Sequence, residues 1–209
     1  MKELSPQDLM LLFQGGDEEA FRELVRRFRD PIASFAFRLL DDYDRALDVA
    51  QETFVNVFTH AQDYRPMAGF SAWLYRIAYN VAINELRRQK RQPAFSLDAS
   101  PHGDDDGAAR FEIADEGISA EEEILARERG EAVRRGVASL PVKYRTAVVL
   151  KDMEGMTFEE IARILACPES TVKSRVMRAR RMLATRLERY LGSAIARTGR
   201  TQPVRQGSG

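Results

Sequence analysis

The sequence contains one cysteine, Cys167, and two histidines, His60 and His102, in 209 residues. A lone cysteine excludes an internal disulfide and any cysteine-rich zinc or iron–sulfur centre. Two histidines so far apart in sequence argue against a histidine metal cluster. Long apolar runs are missing too, since none approaches the ~18 residues needed to cross a bilayer. The N-terminal MKELSPQDLM lacks the apolar core of a secretory leader. There is no glycine-rich phosphate loop, no nucleophile elbow and no metal-ligand pair, so nothing points to an enzyme. These absences predict a soluble cytoplasmic protein with no metal, no cofactor, no catalytic residue and no membrane insertion. An excess of charge of one sign is absent as well, because 32 Lys and Arg balance 32 Asp and Glu.

That balance conceals a pattern. Residues 1–91 carry 13 basic and 14 acidic side chains, residues 92–121 carry one basic residue (Arg110) against eight acidic, and residues 122–209 carry 18 basic and 10 acidic. The middle stretch, RQPAFSLDASPHGDDDGAARFEIADEGIS, scatters Pro93, Pro101, Gly103, Gly107 and Gly117 and sustains neither helical nor strand periodicity. So long an irregular stretch is rare inside one compact domain. Hydrophobic residues at 44% and aromatics at 9% suffice for ordinary cores on either side of it. The expected organisation is therefore two small domains, 1–91 and 120–191, joined by an acidic linker at 92–119 and followed by a disordered polar tail at 192–209.

Both domains read as helix after helix, and the expected fold class is all-α. Ser5 before Pro6 is a helix start, and Gly15-Gly16 closes that helix. Asp17 caps the next segment, with Phe21, Leu24, Val25 and Phe28 as an apolar stripe, and Pro31 predicts a kink or restart. From Asp44 to Thr59, Leu47, Ala50, Phe54, Val57 and Phe58 recur at helical spacing and are expected inward. Ser71 is the expected cap of a helix to about Arg91, with Leu74, Ile77, Ala78 and Val81 buried. In the second half, Ser119 with Glu122 fits a capping box, Pro141 opens a helix at its first position, and Gly155 fits a helix end. Thr157 with Glu160 makes another capping box, before a short helix to about Leu165. A break at Ala166-Cys167-Pro168 precedes a last helix to about Leu191, with Val172, Val176, Ala179, Leu183 and Leu187 on one side. A short helix, a tight turn and a longer basic helix form the helix-turn-helix pattern. Lys173, Ser174, Met177, Arg178 and Arg181 fall on a surface displaced from the Val–Leu stripe, which suits a helix that enters a DNA groove. A solvated basic face is the plainer alternative for such a helix taken alone.

TFEEIARILACPESTVKSRVMRARRML resembles region 4 of bacterial RNA polymerase sigma factors, the reader of the upstream (−35) promoter element. DRALDVAQETFVNVF resembles their region 2.2, and FSAWLYRIAYNVAINELRRQKR their regions 2.3 and 2.4. In this order, with an acidic linker in place of a full third domain, the segments resemble the extracytoplasmic-function (ECF) subfamily. The resemblance implies a transcription initiation factor. It would bind the largest subunits of core RNA polymerase through Asp48, Gln51 and Glu52, although Leu47 departs from the acidic residue often seen before Asp48. It implies contact with the −10 element of promoter DNA through Tyr64, Arg65, Trp73, Asn80, Asn84, Arg87, Arg88, Lys90 and Arg91. The loop Tyr64 to Phe70 would hold a base flipped from the stack, with core packing the alternative role for Trp73. Contact with the −35 element is implied for Thr171, Lys173, Ser174, Arg175, Met177, Arg178, Arg180 and Arg181. Control by an anti-sigma factor and a monomeric free state are also implied. The second half alone also fits a polymerase-independent helix-turn-helix regulator, usually a dimer on two half-sites, but residues 44–91 have no role in that reading. The linker composition predicts that limited proteolysis cuts first between Pro93 and Gly117 and leaves two helical fragments. First cuts within 44–88 or 157–187 would contradict the two-domain organisation.

Overall fold

Ser5 opens α1 (Pro6–Gln14) with a reciprocal cap: its hydroxyl accepts the Asp8 amide at 3.2 Å, and its own amide donates to the Asp8 carboxylate at 3.3 Å. The computed structural model describes residues 4–91 and 120–198. Asp17 caps α2 (Glu18–Leu40) by accepting the Glu19 and Ala20 amides. Pro31 lies inside α2, and the helix neither stops nor restarts there. An interior proline costs ~3 kcal/mol, but the stretch after it buries Ile32, Ala33, Phe35, Ala36 and Leu39 completely or nearly so, and that packing outweighs the lost hydrogen bond. Asp42 caps α3 (Tyr43–Thr59). Two single 3-10 turns, Ala61–Asp63 and Pro66–Ala68, lead into α4 (Phe70–Arg91). Ser71 is thus the second residue of α4 and not its cap, because the buried Phe70 ring anchors the start of the helix.

The second half comprises α5 (Ala120–Ala138), α6 (Val142–Val148), a π-helical turn at Val149–Met153, α7 (Phe158–Leu165) and α8 (Glu169–Thr198). Pro141 stands one position before α6, at its cap. Gly155 (φ 69°) ends the π-helical turn in the left-handed region, where an L side chain is strained. α8 runs past the expected Leu191 boundary to Thr198, so residues 192–198 are helical and not tail. The linker at 92–119, the Ser119 cap and the tail residues 199–209 lie outside the described residues. Among the described residues every regular element is helical, as expected of an all-α chain, and no helix is long and apolar enough to cross a membrane.

The two halves pack on one another, α7 against α4 and α5 against α2. One buried cluster combines Phe35, Leu74 and Ala78 with Leu150, Ile161 and Val172. Polar contacts edge this seam. The Arg145 guanidinium donates to the carbonyls of Leu39, Ala138 and Leu140, and Arg134 pairs with Asp41, the left-handed residue that ends α2. Two arginines thus meet the negative end of the α2 dipole. Glu154, just after the π-helical turn, accepts the Tyr75 hydroxyl at 2.5 Å and lies 3.4 Å from an Arg38 nitrogen. Burial pushes the Glu154 carboxyl above its ordinary range, while Tyr75 and Arg38 pull it back. Glu154→Ala would leave the buried Tyr75 hydroxyl without its acceptor and should destabilise the fold by ~1–3 kcal/mol. Glu154→Gln keeps an acceptor and drops the buried charge, so its urea midpoint should stay much closer to wild type. Equal losses for the two variants would refute the hydrogen-bond account.

Candidate nucleic-acid interface

Thr157 starts α7 with the expected capping box: its hydroxyl accepts the Glu160 amide at 3.2 Å, and its amide donates to the Glu160 carboxylate at 2.8 Å. That amide, with the Thr157 hydroxyl helping, holds the Glu160 carboxyl below its usual range. Ala166 turns the chain at φ 48°, an uncommon left-handed conformation for a residue with a Cβ, and α8 begins three residues later. Ile161 and Ile164 of α7 and Val172, Val176 and Ala179 of α8 are buried. With that stripe inward, a helix turning about 100° per residue has only its other side to offer. Lys173, Ser174, Met177, Arg178, Arg180 and Arg181 are exposed there, Met177 to 66%.

Several of these side chains already have partners. Lys173 pairs with Glu169 at 2.6 Å, and Arg180 makes a two-bond pair with Asp152, at 2.9 and 2.5 Å. The Arg178 guanidinium beside Tyr144 holds that phenol below its usual range. Thr171 and Arg175 are half-buried, with an Arg175 nitrogen 3.7 Å from the Cys167 sulfur. Ser174, Met177 and Arg181, spaced three and four apart, therefore form the open centre of the face, with Arg178 beside them against Tyr144.

A second basic face lies on α4. Leu74, Tyr75, Ala78, Val81 and Ala82 are buried, and Asn80, Asn84, Arg87, Arg88, Lys90 and Arg91 are exposed. Glu85, facing α3, pairs with Arg45 at 2.5 Å and Arg88 at 3.0 Å, which partly neutralises Arg88. The loop before α4 departs from expectation at Tyr64. That ring is 1% exposed, packed against Trp73 and Phe70 at centroid distances of 5.2 and 6.1 Å, and its hydroxyl is buried without a partner. Tyr64 is therefore a wall behind the loop and offers no free face for a base to stack on, because the Phe70 and Trp73 rings already cover it. Trp73 is half-buried in the same cluster. Arg65 is exposed, and Met67 projects at 96% exposure from the tip, where sequence reading assigned no role. The signal for Met67 was its place between Pro66 and Gly69, since a large apolar side chain on a turn has no core to enter.

Asp48, Gln51 and Glu52 are exposed together on α3. Leu47 and Phe58, expected inward, are also outside, Phe58 to 54%. The Phe58 ring packs 5.4 Å from Phe13 and Phe21, and with Leu47, Val25, Phe54 and Val55 it lines an apolar groove of about 530 Å³ that includes Gln51. Residues 47 and 58 sit at the margins of the apolar stripe, and periodicity does not tell a stripe's margin from its centre. A polar groove of about 260 Å³ between α3 and α4 brings Asp48 and Glu52 beside Asn84 and Arg88, so the acidic and basic sets adjoin.

Residues 24–92 match the Sigma-70 region 2 family and residues 130–183 the Sigma-70, region 4 family. The ECF RNA polymerase sigma factor SigW of Bacillus subtilis is 34% identical over 172 residues, covering 82% of this chain and 91% of that protein. The ECF RNA polymerase sigma-E factor of Escherichia coli is 36% identical over 189 residues, covering 90% and 96%. Among solved structures, CnrH in complex with the cytosolic domain of CnrY superposes with a TM-score of 0.62 at 25% identity, over 87% of this chain and 96% of that one. The sigma factor RpoE in complex with the anti-sigma factor NepR, from Bartonella quintana, shares the fold with a TM-score of 0.61 at 22% identity, over 80% and 96%.

Removing the helix cap tests how α7 holds its partner helix. Thr157→Ala should lower stability by ~1 kcal/mol. Because the Glu160 carboxyl is held low in the folded chain, its contribution is present above the ordinary carboxylate range and is lost as pH falls through its folded value. Glu160→Gln, which removes that carboxylate, should therefore be less stable than wild type near neutral pH and converge with it in acid, whereas the Thr157→Ala loss, mainly a hydroxyl-to-amide bond, should vary little with pH. Urea titrations at several pH values check this, and a pH-independent difference for Glu160→Gln would contradict it.

Proposed function

Because the chain belongs to the extracytoplasmic-function family of RNA polymerase sigma factors, transcription initiation factors and not enzymes, we propose a division of labour along it. Residues 1–91 dock on core RNA polymerase and engage the −10 element. Residues 120–191 engage the −35 element. Residues 92–119 link the two. The observation that carries this reading is that two basic helix faces, on α4 and α8, are open on one chain while an acidic face on α3 adjoins the first of them.

Asp48, Gln51 and Glu52 present carboxylates and an amide to a basic partner, for which charge-assisted hydrogen bonds are the strong interaction. Asn80, Asn84, Arg87, Lys90 and Arg91 contact the −10 element, with Arg88 sharing its charge with Glu85. Arg65 supplies edge hydrogen bonds to a flipped base, with Tyr64 and Trp73 as the wall that supports its loop. On α8, Lys173, Ser174, Met177 and Arg178 face base edges. Arg175, Arg180 and Arg181 meet or flank phosphates, Arg180 after leaving Asp152, and Thr171 steadies the start of the helix. CnrH was solved in complex with the cytosolic domain of CnrY and the Bartonella RpoE with the anti-sigma factor NepR, and an anti-sigma factor covering these surfaces would hold this chain inactive. Core polymerase supplies affinity that the free chain lacks by fixing two readers at the separation of their sites. The polar contacts of Glu154, Arg134 and Arg145 across the seam must break for α4 and α8 to reach separated elements.

Asp48→Lys combined with Glu52→Lys should abolish core pull-down and transcription while circular dichroism shows the helical fold intact, since both residues are exposed on α3. A folded double variant with normal pull-down would remove this surface from the interface. Arg178→Ala should cost ~1–3 kcal/mol at one base position, whereas Arg181→Ala should weaken all promoters alike and flatten the salt dependence. Holoenzyme binding to single-base −35 variants distinguishes them, and unchanged sequence preference in Arg178→Ala would refute its assignment.

A further inference from the structure

The loop that separates α3 from α4 is held from a distance by the last residue of α1. The Gln14 side-chain amide uses both of its hydrogens, donating to the Ala61 carbonyl at 2.7 Å and to the Tyr64 carbonyl at 3.2 Å. Gln62 returns a bond to the Gln14 carbonyl at 3.2 Å. The two carbonyls that Gln14 grips bracket the turn Ala61–Asp63, which its own Tyr64 amide closes onto Ala61 at 3.2 Å. Beyond that turn the chain is extended at Tyr64 and Arg65, and then turns again at Pro66–Ala68. The extended pair is the hinge between two small turns, and it carries Arg65 and Met67 outward.

The near side of the hinge is fixed against α1. The Tyr64 ring is locked in the core, and its carbonyl accepts from Gln14 and also from Arg65 at 3.0 Å. The Arg65 guanidinium further donates to the Gln62 carbonyl at 2.7 Å. Gln14 itself has little freedom. Leu9 and Met10 anchor α1 in the core, Phe13 stacks on Phe21 at 4.7 Å, and Gly15 caps the helix end. One amide on a rigid helix thus sets the direction in which the Tyr64–Arg65 peptide, and with it the Arg65 side chain, faces.

We propose that Gln14 is a positioning residue for base capture: by gripping the Ala61 and Tyr64 carbonyls it pre-sets the loop that carries Arg65 and Met67 for an unstacked base of the −10 element. This rests on the assignment of that loop under Proposed function. Pre-setting matters because a loop ordered only on binding gives back part of the contact energy in lost freedom.

The test uses holoenzyme assembled from the full chain and core polymerase, with single-stranded non-template −10 oligonucleotides carrying each base in turn at each position. Wild-type holoenzyme should prefer one base at the captured position. Gln14→Met keeps the side-chain length and apolar stem but has no donor. It should keep helicity, core pull-down and binding to a duplex bearing only the −35 element, and its preference at the captured position should fall about five- to tenfold, the equivalent of a net hydrogen bond or slightly more. Undiminished preference in Gln14→Met overturns the proposal, and so does a loss shared equally with −35 and core binding, which would make Gln14 a structural brace only. If Gln14→Met loses helicity, Gln62→Ala removes the reciprocal bond from the exposed side and must show the same selective loss, or the proposal fails. A wild-type holoenzyme without any base preference in the set would instead overturn the loop assignment itself, and this role with it.

Discussion

A helix that buries one stripe has no choice about which stripe it shows. That constraint governs each surface of this chain to which a role is assigned. Val172, Val176 and Ala179 are buried against α6 and α7, and Met177, Arg178 and Arg181 are therefore outside. Leu74, Ala78 and Val81 are buried against α2 and α3, and Asn80, Asn84 and Arg87 are therefore outside. The basic faces need no binding partner to orient them, because the cores behind them already do so.

The same economy appears where the halves meet. The apolar seam between α4 and α7 is continuous with the cores on either side, so no separate hydrophobic surface distinguishes domain interior from interface. What marks the seam is polar: Glu154 between Tyr75 and Arg38, and two arginines on the end of α2. Part-buried polar contacts such as that of Glu154 with Tyr75 fix one relative arrangement more firmly than apolar contact alone, because a shifted arrangement leaves their groups unpaired. They also add less net stability than equal apolar area, since each has been taken from water.

Local signals in the sequence proved reliable where the chemistry is local. Ser5, Asp17 and Thr157 cap the helices they were expected to cap, and the break at Ala166 falls where predicted. The family resemblance, read from three short segments, agrees with relatives that span most of the chain. Signals failed where the outcome depends on distant packing. Pro31 does not restart the helix, because burial of Ile32 to Leu39 carries α2 through it. Phe58 has the spacing of a core residue but finds only Phe13 and Phe21 at the edge of an open groove. Tyr64, a natural base-stacking residue by type, is claimed by Phe70 and Trp73. The grip of Gln14 on a loop some fifty residues away has no sequence pattern at all, because it is a contact between elements that only the fold brings together.

If one chain places two separate readers on one promoter, directed cleavage will show it in the assembled complex. An iron chelate tethered at Ala184→Cys or at Arg76→Cys, each in a Cys167→Ser background, generates hydroxyl radicals that cut the nearest DNA. Both sites are exposed, each one turn from a basic face and outside the residues assigned to DNA contact. Holoenzyme on promoter DNA should show cleavage beside the upstream element from the Ala184 tether and beside the start of the opened region from the Arg76 tether, two clusters without overlap. Cleavage by both tethers at the same place, or none from Arg76, would contradict that placement.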